Sequence, residues 1–452
     1  MSLEPITVSE NGRFLTTTTG NPFFWLADTA WELFHRLEKD EAALYLETRR
    51  GQGFNVIQAV ILAESDGLYT PNANGHLPLL GNDPTQPNEH YFRHVDDIIH
   101  LAAEKELYIG LLPTWGDKVN GNLWGTGSAI FNDKNARIYG RFLGHRYRDD
   151  TNILWILGGD HPTQGYESVW TAMAAGITEG LGKRPFCTYH PRGGGSSSEC
   201  LHAANWLDMN MLQSGHVLLD EPNWEMIAAD YQRQPIKPVL DGEPCYEDHP
   251  IDPFLRQWQP ENGRFNDYDI RKQAYRAVFA GACGHTYGHH AVWQFWTQQQ
   301  KPINFPTPTW EEAILRPGAT HMIHLKNLIL SRPYLNRIPA QNILLNLPPI
   351  PPPDNSQHFH PLRAAHACAT RSQDRTYALV YFPQAKQSLE IDLSCISGPV
   401  KAWWYDPRTG KAHAADKQVP QTATFTSPTA GPDWVLVLDD KTQGFSPPGK
   451  LK

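Results

Sequence analysis

The sequence feature that most constrains the fold is an apolar run that ends in two glycines and a carboxylate. Residues Asn152 to Asp160 read Asn-Ile-Leu-Trp-Ile-Leu-Gly-Gly-Asp, with five consecutive apolar side chains. Such a run is typical of a parallel β-strand that is covered on both faces. The glycines allow a sharp turn, so Asp160 is expected at the carboxyl end of the strand. Taken alone, the run equally allows Asp160 to cap the next helix, because His161 and Pro162 follow it.

Up to residue 340 the chain alternates strand-like and helix-like segments, and the run at Asn152 is the fourth strand of the series. Eight such strand and helix pairs predict an α/β fold, a (β/α)₈ TIM barrel with enlarged loops on one face. A doubly wound sheet is the structural alternative. The predicted strands span residues 23–28, 54–62, 107–115, 152–160, 184–190, 207–213, 238–246 and 284–293.

The texture of the sequence changes after Pro333. Prolines crowd the segment from Leu347 to Pro353, and short β-rich runs separated by turn residues follow. Amphipathic helical patterns are missing from these runs. We therefore predict a barrel domain over residues 1–340 and a C-terminal antiparallel β-sandwich domain over residues 341–452.

Composition narrows the class of partner. Lys plus Arg number 39 against 48 for Asp plus Glu, which gives a formal charge of −9, so we expect no nucleic acid partner. The sequence lacks an apolar run of about 18 residues, so we expect no membrane span. The 15 Trp and 17 Tyr supply flat rings that suit stacking on sugars. An oligosaccharide or polysaccharide is the expected substrate.

The N-terminus and the cysteines bear on location and cofactors. Residues Met1 to Ile6 have neither the basic region nor the apolar core of a signal peptide. The six cysteines are scattered singly and form no CxxC pair, which indicates buried thiols rather than a zinc site or a disulfide scaffold. We expect a cytoplasmic protein with no metal and no cofactor, and a secreted or periplasmic one if a leader has been removed. The oligomeric state is left open.

Two carboxylates stand out among the polar residues at predicted strand ends. Asp160 ends the fourth strand, and Glu243 ends the seventh in Val239-Leu-Asp-Gly-Glu-Pro244. Strands four and seven lie on opposite sides of an eight-stranded barrel, so the two side chains can face each other across its mouth. An ion pair with Arg256 is the alternative role for Glu243.

A facing pair of carboxyl groups is what glycoside cleavage requires. One must be protonated to give its proton to the leaving oxygen, while the other attacks the anomeric carbon or activates water. A separation of about 5–5.5 Å gives retention of configuration, and roughly 6.5–9.5 Å gives inversion. The sequence does not supply this distance.

Four stretches of the barrel region carry a family resemblance: Phe24–Trp31, Trp155–Asp160, Asp241–Glu247 and Gly284–Gly288. In this order they resemble the apiosidase-like glycoside hydrolases. The downstream Trp403–Gly410 is similar to the small β-domain of the collagen-binding type that follows the barrel in that family. The resemblance implies a barrel with a C-terminal β-domain and covers nearly the whole chain.

The resemblance also implies a function. Members of that family act on plant cell-wall pectin and release apiose from rhamnogalacturonan II, with a retaining mechanism. Carried over by position, it makes Asp160 the general acid/base and Glu243 the nucleophile. Many members of the wider group have Glu preceded by Asn at the fourth strand, whereas Gly159-Asp160 stands here. A shorter acid could serve a differently placed leaving oxygen.

Further polar and aromatic residues at predicted strand ends are expected to bind the substrate, with core packing or a structural hydrogen bond as the alternative for each. Histidines around the eighth strand, including His289 and His290, invite a metal-dependent hydrolase, but no carboxylate accompanies them at ligand spacing. A glycan-binding protein on an inactive barrel is a further alternative. The substrate-binding candidates are Asp28, Trp31, Trp115, His161, His190, Gln213, Glu247, His285, Tyr287 and Trp293.

Overall fold

The structure is a computed structural model that describes residues 3–64, 66–121, 128–252, 258–351, 359–415 and 422–451. It begins with a small antiparallel sheet of β1 (Ile6–Val8), β2 (Leu15–Thr17) and β3 (Pro22–Phe23). The Phe23 ring packs on Tyr108 with ring centroids 5.2 Å apart. Because Tyr108 begins a barrel strand, this sheet covers the amino-terminal end of the barrel, away from the carboxyl ends of the strands.

The barrel is built from parallel strands in sequence order. Six of them, the eighth followed by the first to the fifth in chain order, form one sheet, and the sixth pairs in parallel with the seventh. Backbone hydrogen bonds from Asp208 to Cys187 and from Cys283 to Val239 join the two groups. In the described part of the chain the barrel strands are β4 (Trp25–Thr29), β5 (Val56–Leu62), β6 (Tyr108–Thr114), β7 (Ile153–Gly158), β8 (Cys187–His190), β10 (Asn210–Gln213), β11 (Val239–Asp241) and β12 (Gly284–Tyr287), and the short β9 (Gly195–Ser196) pairs antiparallel with β10.

The side chains of each barrel strand alternate between the barrel interior and the surrounding helices. Leu154 and Ile156 belong to one buried cluster, whereas their neighbours Trp155 and Leu157 belong to another. Both faces are therefore covered, which explains the uninterrupted apolar runs in the sequence.

Helices surround the barrel. Asparagine side chains cap several of them at the N-terminus, including Asn88, Asn132 and Asn266. The sequence pattern predicts one helix from Glu311 to Ser331, but the structure has two, because Pro317 lacks the amide proton that a continuous helix needs and starts a new helix. Their bounds are α1 (Leu33–Arg36), α2 (Lys39–Gly51), α3 (Glu89–Glu104), α4 (Asp133–Arg146), α5 (Glu167–Leu181), α6 (Ser198–Leu201), α7 (Asn223–Tyr231), α8 (Asp267–Phe279), α9 (His290–Trp293), α10 (Trp310–Ala313) and α11 (Pro317–Leu330).

The C-terminal region is antiparallel. The strands of a six-stranded sheet follow the order 337–339, 368–372, 377–382, 434–440, 400–405 and 412–414. One face of this sheet packs on a two-stranded ribbon through a cluster that includes Phe382, Ile391 and Phe425. Its other face packs on the barrel helices, where the Tyr381 and Tyr275 rings stack 5.0 Å apart. The elements are β13 (Arg337–Pro339), α12 (Pro361–Ala364), β14 (Cys368–Ser372), β15 (Tyr377–Phe382), β16 (Ser388–Asp392), β17 (Val400–Tyr405), β18 (Ala412–Ala414), β19 (Thr422–Thr426) and β20 (Trp434–Asp440).

The predicted TIM barrel with a C-terminal antiparallel β-structure is thus confirmed. Among the described residues, no helix combines the length and apolarity that a membrane crossing needs.

A buried ion pair joins α8 to the C-terminal sheet. The Arg271 guanidinium donates to both carboxylate oxygens of Asp433, at 3.1 and 2.9 Å, and neither side chain is more than 1% exposed. The Tyr381 hydroxyl donates to the same carboxylate at 3.0 Å. The two regions are therefore held together by a charge pair that has no access to solvent.

Asp433→Ala should lower the free energy of unfolding by about 3–5 kcal/mol, because it breaks a fully buried ion pair and leaves the buried Arg271 guanidinium with only the partly exposed Asp267 as a carboxylate partner. The measurement is urea unfolding followed by tryptophan fluorescence. The control is Asp97→Ala, which removes a solvent-exposed pair with Lys39 and should cost less than about 1 kcal/mol. Equal unfolding midpoints for the two variants would contradict the role of the buried pair.

Candidate active site

A cavity of about 640 Å³ opens at the carboxyl ends of the barrel strands. Loops after several different strands line it, as expected where a barrel of this kind places its functional residues. Both predicted catalytic carboxylates belong to its wall. The lining residues are Trp31, Glu64, Trp115, Asp160, Gly193, Gly194, Gln213, Ser214, Gly215, His216, Val217, Glu221, Glu243, Tyr246, His249, Trp293, Ile303 and Asn304.

A strained turn places Asp160 in the cavity. Gly158, Gly159 and Asp160 all have positive φ, at 88°, 133° and 52°. A Cβ atom on Gly159 would lie 2.7 Å from the Trp115 ring, and one on Gly158 would lie 2.3 Å from the His190 carbonyl oxygen. Only glycine fits these two positions. The two glycines are therefore required to bring Asp160 beside Trp115 and His190.

Asp160 does not cap the following helix. That helix, α5, begins at Glu167 with Tyr166 as its N-cap residue. Instead, Asp160 Oδ1 accepts a hydrogen bond of 3.2 Å from the Gly193 amide, which belongs to the loop after the fifth barrel strand. The carboxylate is held at the cavity by a neighbouring loop, so the capping alternative is wrong.

Glu243 lies at the end of the seventh barrel strand and is 6% exposed. His190 Nε2 is 3.0 Å from Glu243 Oε2, and His216 Nε2 is 3.3 Å from Glu243 Oε1. Burial opposes ionisation of Glu243, but its contacts with His190 and His216 outweigh burial and lower its pKa to about 2. Glu243 is therefore an ionised carboxylate.

His190 connects the two carboxylate-bearing strands. Its Nδ1 accepts a hydrogen bond of 3.3 Å from the Asp160 backbone amide. Because Nδ1 accepts, the ring proton lies on Nε2, the nitrogen that is 3.0 Å from Glu243 Oε2. The turn that presents Asp160 thus also fixes the tautomer that stabilises the Glu243 charge.

Several sequence-predicted substrate residues do meet at this cavity. Trp31, Trp115, Gln213 and Trp293 line it, and His190 contacts Glu243. The Trp31 and Trp115 rings lie 5.0 Å apart, and Trp31 Nε1 donates to the Tyr246 hydroxyl at 3.2 Å. The aromatic side of the cavity can therefore stack against a sugar face.

Asp28 and Glu247 do not reach the cavity, and their predicted contact with substrate needs correction. Asp28 lies on the outer side of β4 and accepts hydrogen bonds of 2.5 Å each from Arg49 and Tyr45 of α2. Alternation along the strand turns it away from the barrel interior. Glu247 accepts a 2.6 Å hydrogen bond from the Tyr287 hydroxyl and another from the Gly318 amide at the start of α11. Both carboxylates hold helices to the barrel.

The same alternation corrects His285 and Tyr287. Both point outward from β12, and burial lowers the pKa of His285 to about 3. His161 is also not part of the cavity wall: it lies under Gly116, where a Cβ atom would be 2.7 Å from the His161 Cβ. Burial, together with the Lys118 charge, lowers the pKa of His161 to about 4. His161, His285 and Tyr287 are therefore buried structural residues that do not line the cavity.

The histidines near the eighth strand are used in other ways than metal binding. His289 Nε2 pairs with Asp248 at 3.1 Å, and His290 Nε2 lies 2.8 Å from the Asn304 carbonyl oxygen. In the described ranges, no three His, Cys, Asp or Glu side chains are grouped as a metal site would require. Arg256, the ion-pair partner in the alternative role for Glu243, lies outside the described residues.

Sequence reasoning missed Glu64, which lines the cavity together with Asp160. It follows the second barrel strand, so the strand-end rule could have found it. Burial and the nearby carboxylates of Asp160 and Asp117 raise the pKa of Glu64 well above its ordinary value. A carboxyl group in its neutral form can donate a hydrogen bond to a sugar hydroxyl.

His216, Tyr246 and His249 were also missed. His216 and His249 stack with ring centroids 4.3 Å apart, and the Tyr246 ring is 4.4 Å from His216. They come from loops after the sixth and seventh strands, where no local pattern in the sequence indicates which way a side chain points. Together they form the wall behind Glu243.

Comparison with known proteins assigns this architecture to glycoside hydrolases. A solved structure named "Glycoside hydrolase" is 32% identical with a TM-score of 0.85, over 98% of this chain and 99% of that chain. The crystal structure of a glycoside hydrolase family 5 from Bacteroides vulgatus is 33% identical with a TM-score of 0.85, over 97% and 93% of the two chains. No curated protein has a significant sequence match to this chain.

The family models are more specific. The model described as "Apiosidase-like, catalytic domain" matches residues 9–336, and "Putative collagen-binding domain of a collagenase" matches residues 353–439. The chain therefore belongs to the apiosidase-like family of glycoside hydrolases. This confirms the resemblance drawn from the barrel motifs and the C-terminal motif.

The raised pKa of Glu64 predicts a pH-dependent effect of Glu64→Gln. Above the ordinary pKa of a glutamate the unfolded chain loses the proton while folded Glu64 keeps it, so Glu64 lowers stability progressively as pH rises. The Gln variant should gain stability relative to the original protein as pH rises above the ordinary pKa of a glutamate, about 4.3, in urea unfolding. Glu199→Gln, at a side chain 46% exposed, is the control. A stability difference that does not change with pH would contradict the assignment.

Removing His190 should move the acidic limb of the activity profile. Without this donor, burial is less well opposed, so the pKa of Glu243 rises from about 2. The acidic limb of kcat/KM for an aryl glycoside should shift upward by roughly one pH unit or more in His190→Ala. His100→Ala, at an exposed surface site, should keep the original limb. An unshifted limb in His190→Ala would show that His190 does not stabilise the charge on Glu243.

Proposed function

We propose that the protein is a retaining glycosidase that acts on a complex plant cell-wall glycan of the pectic type and releases apiose. The observation that carries the mechanism is the environment of Glu243: it is buried, each of its oxygens lies 3.0–3.3 Å from a histidine nitrogen, and it lines the same cavity as Asp160. The family membership supports the choice of apiose.

The low pKa of Glu243 favours attack over base catalysis. A carboxylate with a pKa of about 2 is a weak base and would take a proton from water poorly at neutral pH. The same group stays ionised as a nucleophile, and it leaves readily when the second step expels it. The low pKa of Glu243 therefore supports a retaining mechanism rather than an inverting one.

The reaction then has two balanced steps. In the first, a Glu243 oxygen forms a bond to the anomeric carbon while the bond to the leaving oxygen breaks and Asp160 transfers its proton to that oxygen. In the second, Asp160 takes a proton from water, the water oxygen bonds to the anomeric carbon, and Glu243 leaves as a carboxylate. Asp160 ends the cycle protonated and Glu243 ends it ionised.

The cavity wall suits a sugar ring. Trp31, Trp115 and Trp293 provide aromatic surface, while Gln213 and Glu64 provide polar groups at other points of the wall. Apolar faces with a few polar groups are the common composition of a carbohydrate pocket. The alternative of a binding protein without catalysis would require the two carboxylates to be apart or blocked, whereas both line one cavity.

Asp160→Ala and Glu243→Ala should separate the two roles. Loss of Glu243 should reduce kcat/KM at least about 10⁴-fold on every substrate, because no covalent intermediate can form. Loss of Asp160 should reduce it about 10²–10⁴-fold on a pectic oligosaccharide. The reduction should be much smaller on a dinitrophenyl glycoside, whose leaving group needs no proton.

The control for this pair is Glu104→Ala at an exposed position on α3, which should keep full activity. Circular dichroism of each variant checks the fold. Full activity in either Asp160→Ala or Glu243→Ala would sink the proposal, and so would inversion of the anomeric configuration in the first product seen by proton NMR.

A further inference from the structure

The wall of the cavity beyond the eighth barrel strand ends in a strained turn. Ile303 and Asn304 line the cavity, and Phe305 follows directly. Asn304 and Phe305 have φ values of 50° and 59°. Two consecutive residues other than glycine in the left-handed region cost on the order of 1–3 kcal/mol each, and a bulky aromatic residue is unusual there. The surrounding structure must therefore impose this conformation.

Hydrogen bonds to each carbonyl of the turn impose it. Gln294 Nε2 donates to the Ile303 carbonyl oxygen at 3.2 Å, and His290 Nε2 donates to the Asn304 carbonyl oxygen at 2.8 Å. Arg264 Nη2 donates to the Phe305 carbonyl oxygen at 2.8 Å. Three side chains from two other segments thus fix the backbone of the turn. Strain that is held in this way concentrates at functional sites.

The result of this strain is a displayed aromatic ring. The Phe305 side chain is 51% exposed. Its ring lies beside Trp258, with centroids 5.3 Å apart and planes tilted by 34°. The Arg264 guanidinium lies 4.6 Å over the Trp258 ring, so it contacts both members of the pair: this ring and the Phe305 carbonyl oxygen. Core packing does not account for an aromatic ring that is held half in solvent at the edge of a cavity.

We propose that Phe305, supported by Trp258 and Arg264, forms a stacking platform for a second sugar ring of the substrate, next to the ring that occupies the cavity. Consecutive Cα atoms are about 3.8 Å apart, so Phe305 lies directly beside the Asn304 wall. The flat apolar face of a pyranose or furanose matches an exposed phenyl ring, and stacking tolerates variation in its hydroxyl groups. The platform rests on the proposed glycosidase function and would make the enzyme prefer oligosaccharides to simple glycosides.

The test compares Phe305→Ala with the original protein on two substrates. On pectic oligosaccharides released from rhamnogalacturonan II, kcat/KM should fall about 5- to 10-fold through a higher KM, the scale of one aromatic stacking contact. On a glycosyl fluoride, whose leaving group has no ring that could stack on Phe305, kcat/KM should not change. Phe305→Trp should retain activity on the oligosaccharides, and Phe359→Ala, which removes a ring that is 55% exposed elsewhere, should match the original protein.

An equal kcat/KM of Phe305→Ala and the original protein on the oligosaccharides would overturn the platform. An equal loss on both substrates would also overturn it, because it would assign Phe305 to the shape of the cavity alone. Calorimetric binding of the same oligosaccharides to Glu243→Gln, with and without Phe305→Ala, gives a readout that needs no turnover. If the original protein hydrolyses neither substrate, the proposed function fails. In that case, weaker binding of the oligosaccharides to the double variant Glu243→Gln/Phe305→Ala than to Glu243→Gln would still support the platform. Equal binding to both variants, or no binding to either, would overturn it.

Discussion

The interaction on which the site depends is the contact of two histidine rings with one buried carboxylate. A glutamate as buried as Glu243 would otherwise keep its proton, because the charged form loses its hydration. His190 and His216 each contact one of its oxygens, at 3.0 and 3.3 Å, and these contacts hold the pKa of Glu243 at about 2. An ionised carboxylate at the wall of this cavity is placed to attack a sugar that occupies it.

The positions of the barrel strands bring His190 into contact with Glu243. His190 ends the fifth strand and points inward, so its ring lies between the turn that carries Asp160 and the seventh strand that carries Glu243. The turn is possible only because Gly158 and Gly159 leave room for the His190 carbonyl group and the Trp115 ring. The Asp160 backbone amide then donates to His190 Nδ1 at 3.3 Å. One strained turn therefore positions the acid and also sets the tautomer that stabilises the nucleophile.

Features of the site that depend on neighbouring residues in the chain can be predicted from the sequence, whereas features that depend on tertiary packing cannot. Apolar runs and glycines are local, so the barrel, Asp160 and Glu243 could be inferred from strand order. Strand-end position alone does not give the face of the strand, which is why Asp28, His285 and Tyr287 were expected in the cavity but point outward towards the helices. His216 and Tyr246 come from loops whose course depends on tertiary packing, so local patterns do not reveal them. Glu64 lay within reach of the strand-end rule, but the rise in its pKa depends on the neighbouring Asp160 and Asp117.

The central claim of the proposed mechanism is that Glu243 itself bonds to the sugar. Incubation with an activated 2-deoxy-2-fluoro glycoside slows the second step more than the first and allows a covalent intermediate to accumulate. Mass spectrometry of proteolytic peptides then locates the added sugar. We expect the peptide that contains Glu243 to gain the mass of one sugar in the original protein and no mass in Glu243→Gln. Attachment at another residue, or turnover of a parent glycoside with inversion and no adduct, would contradict it.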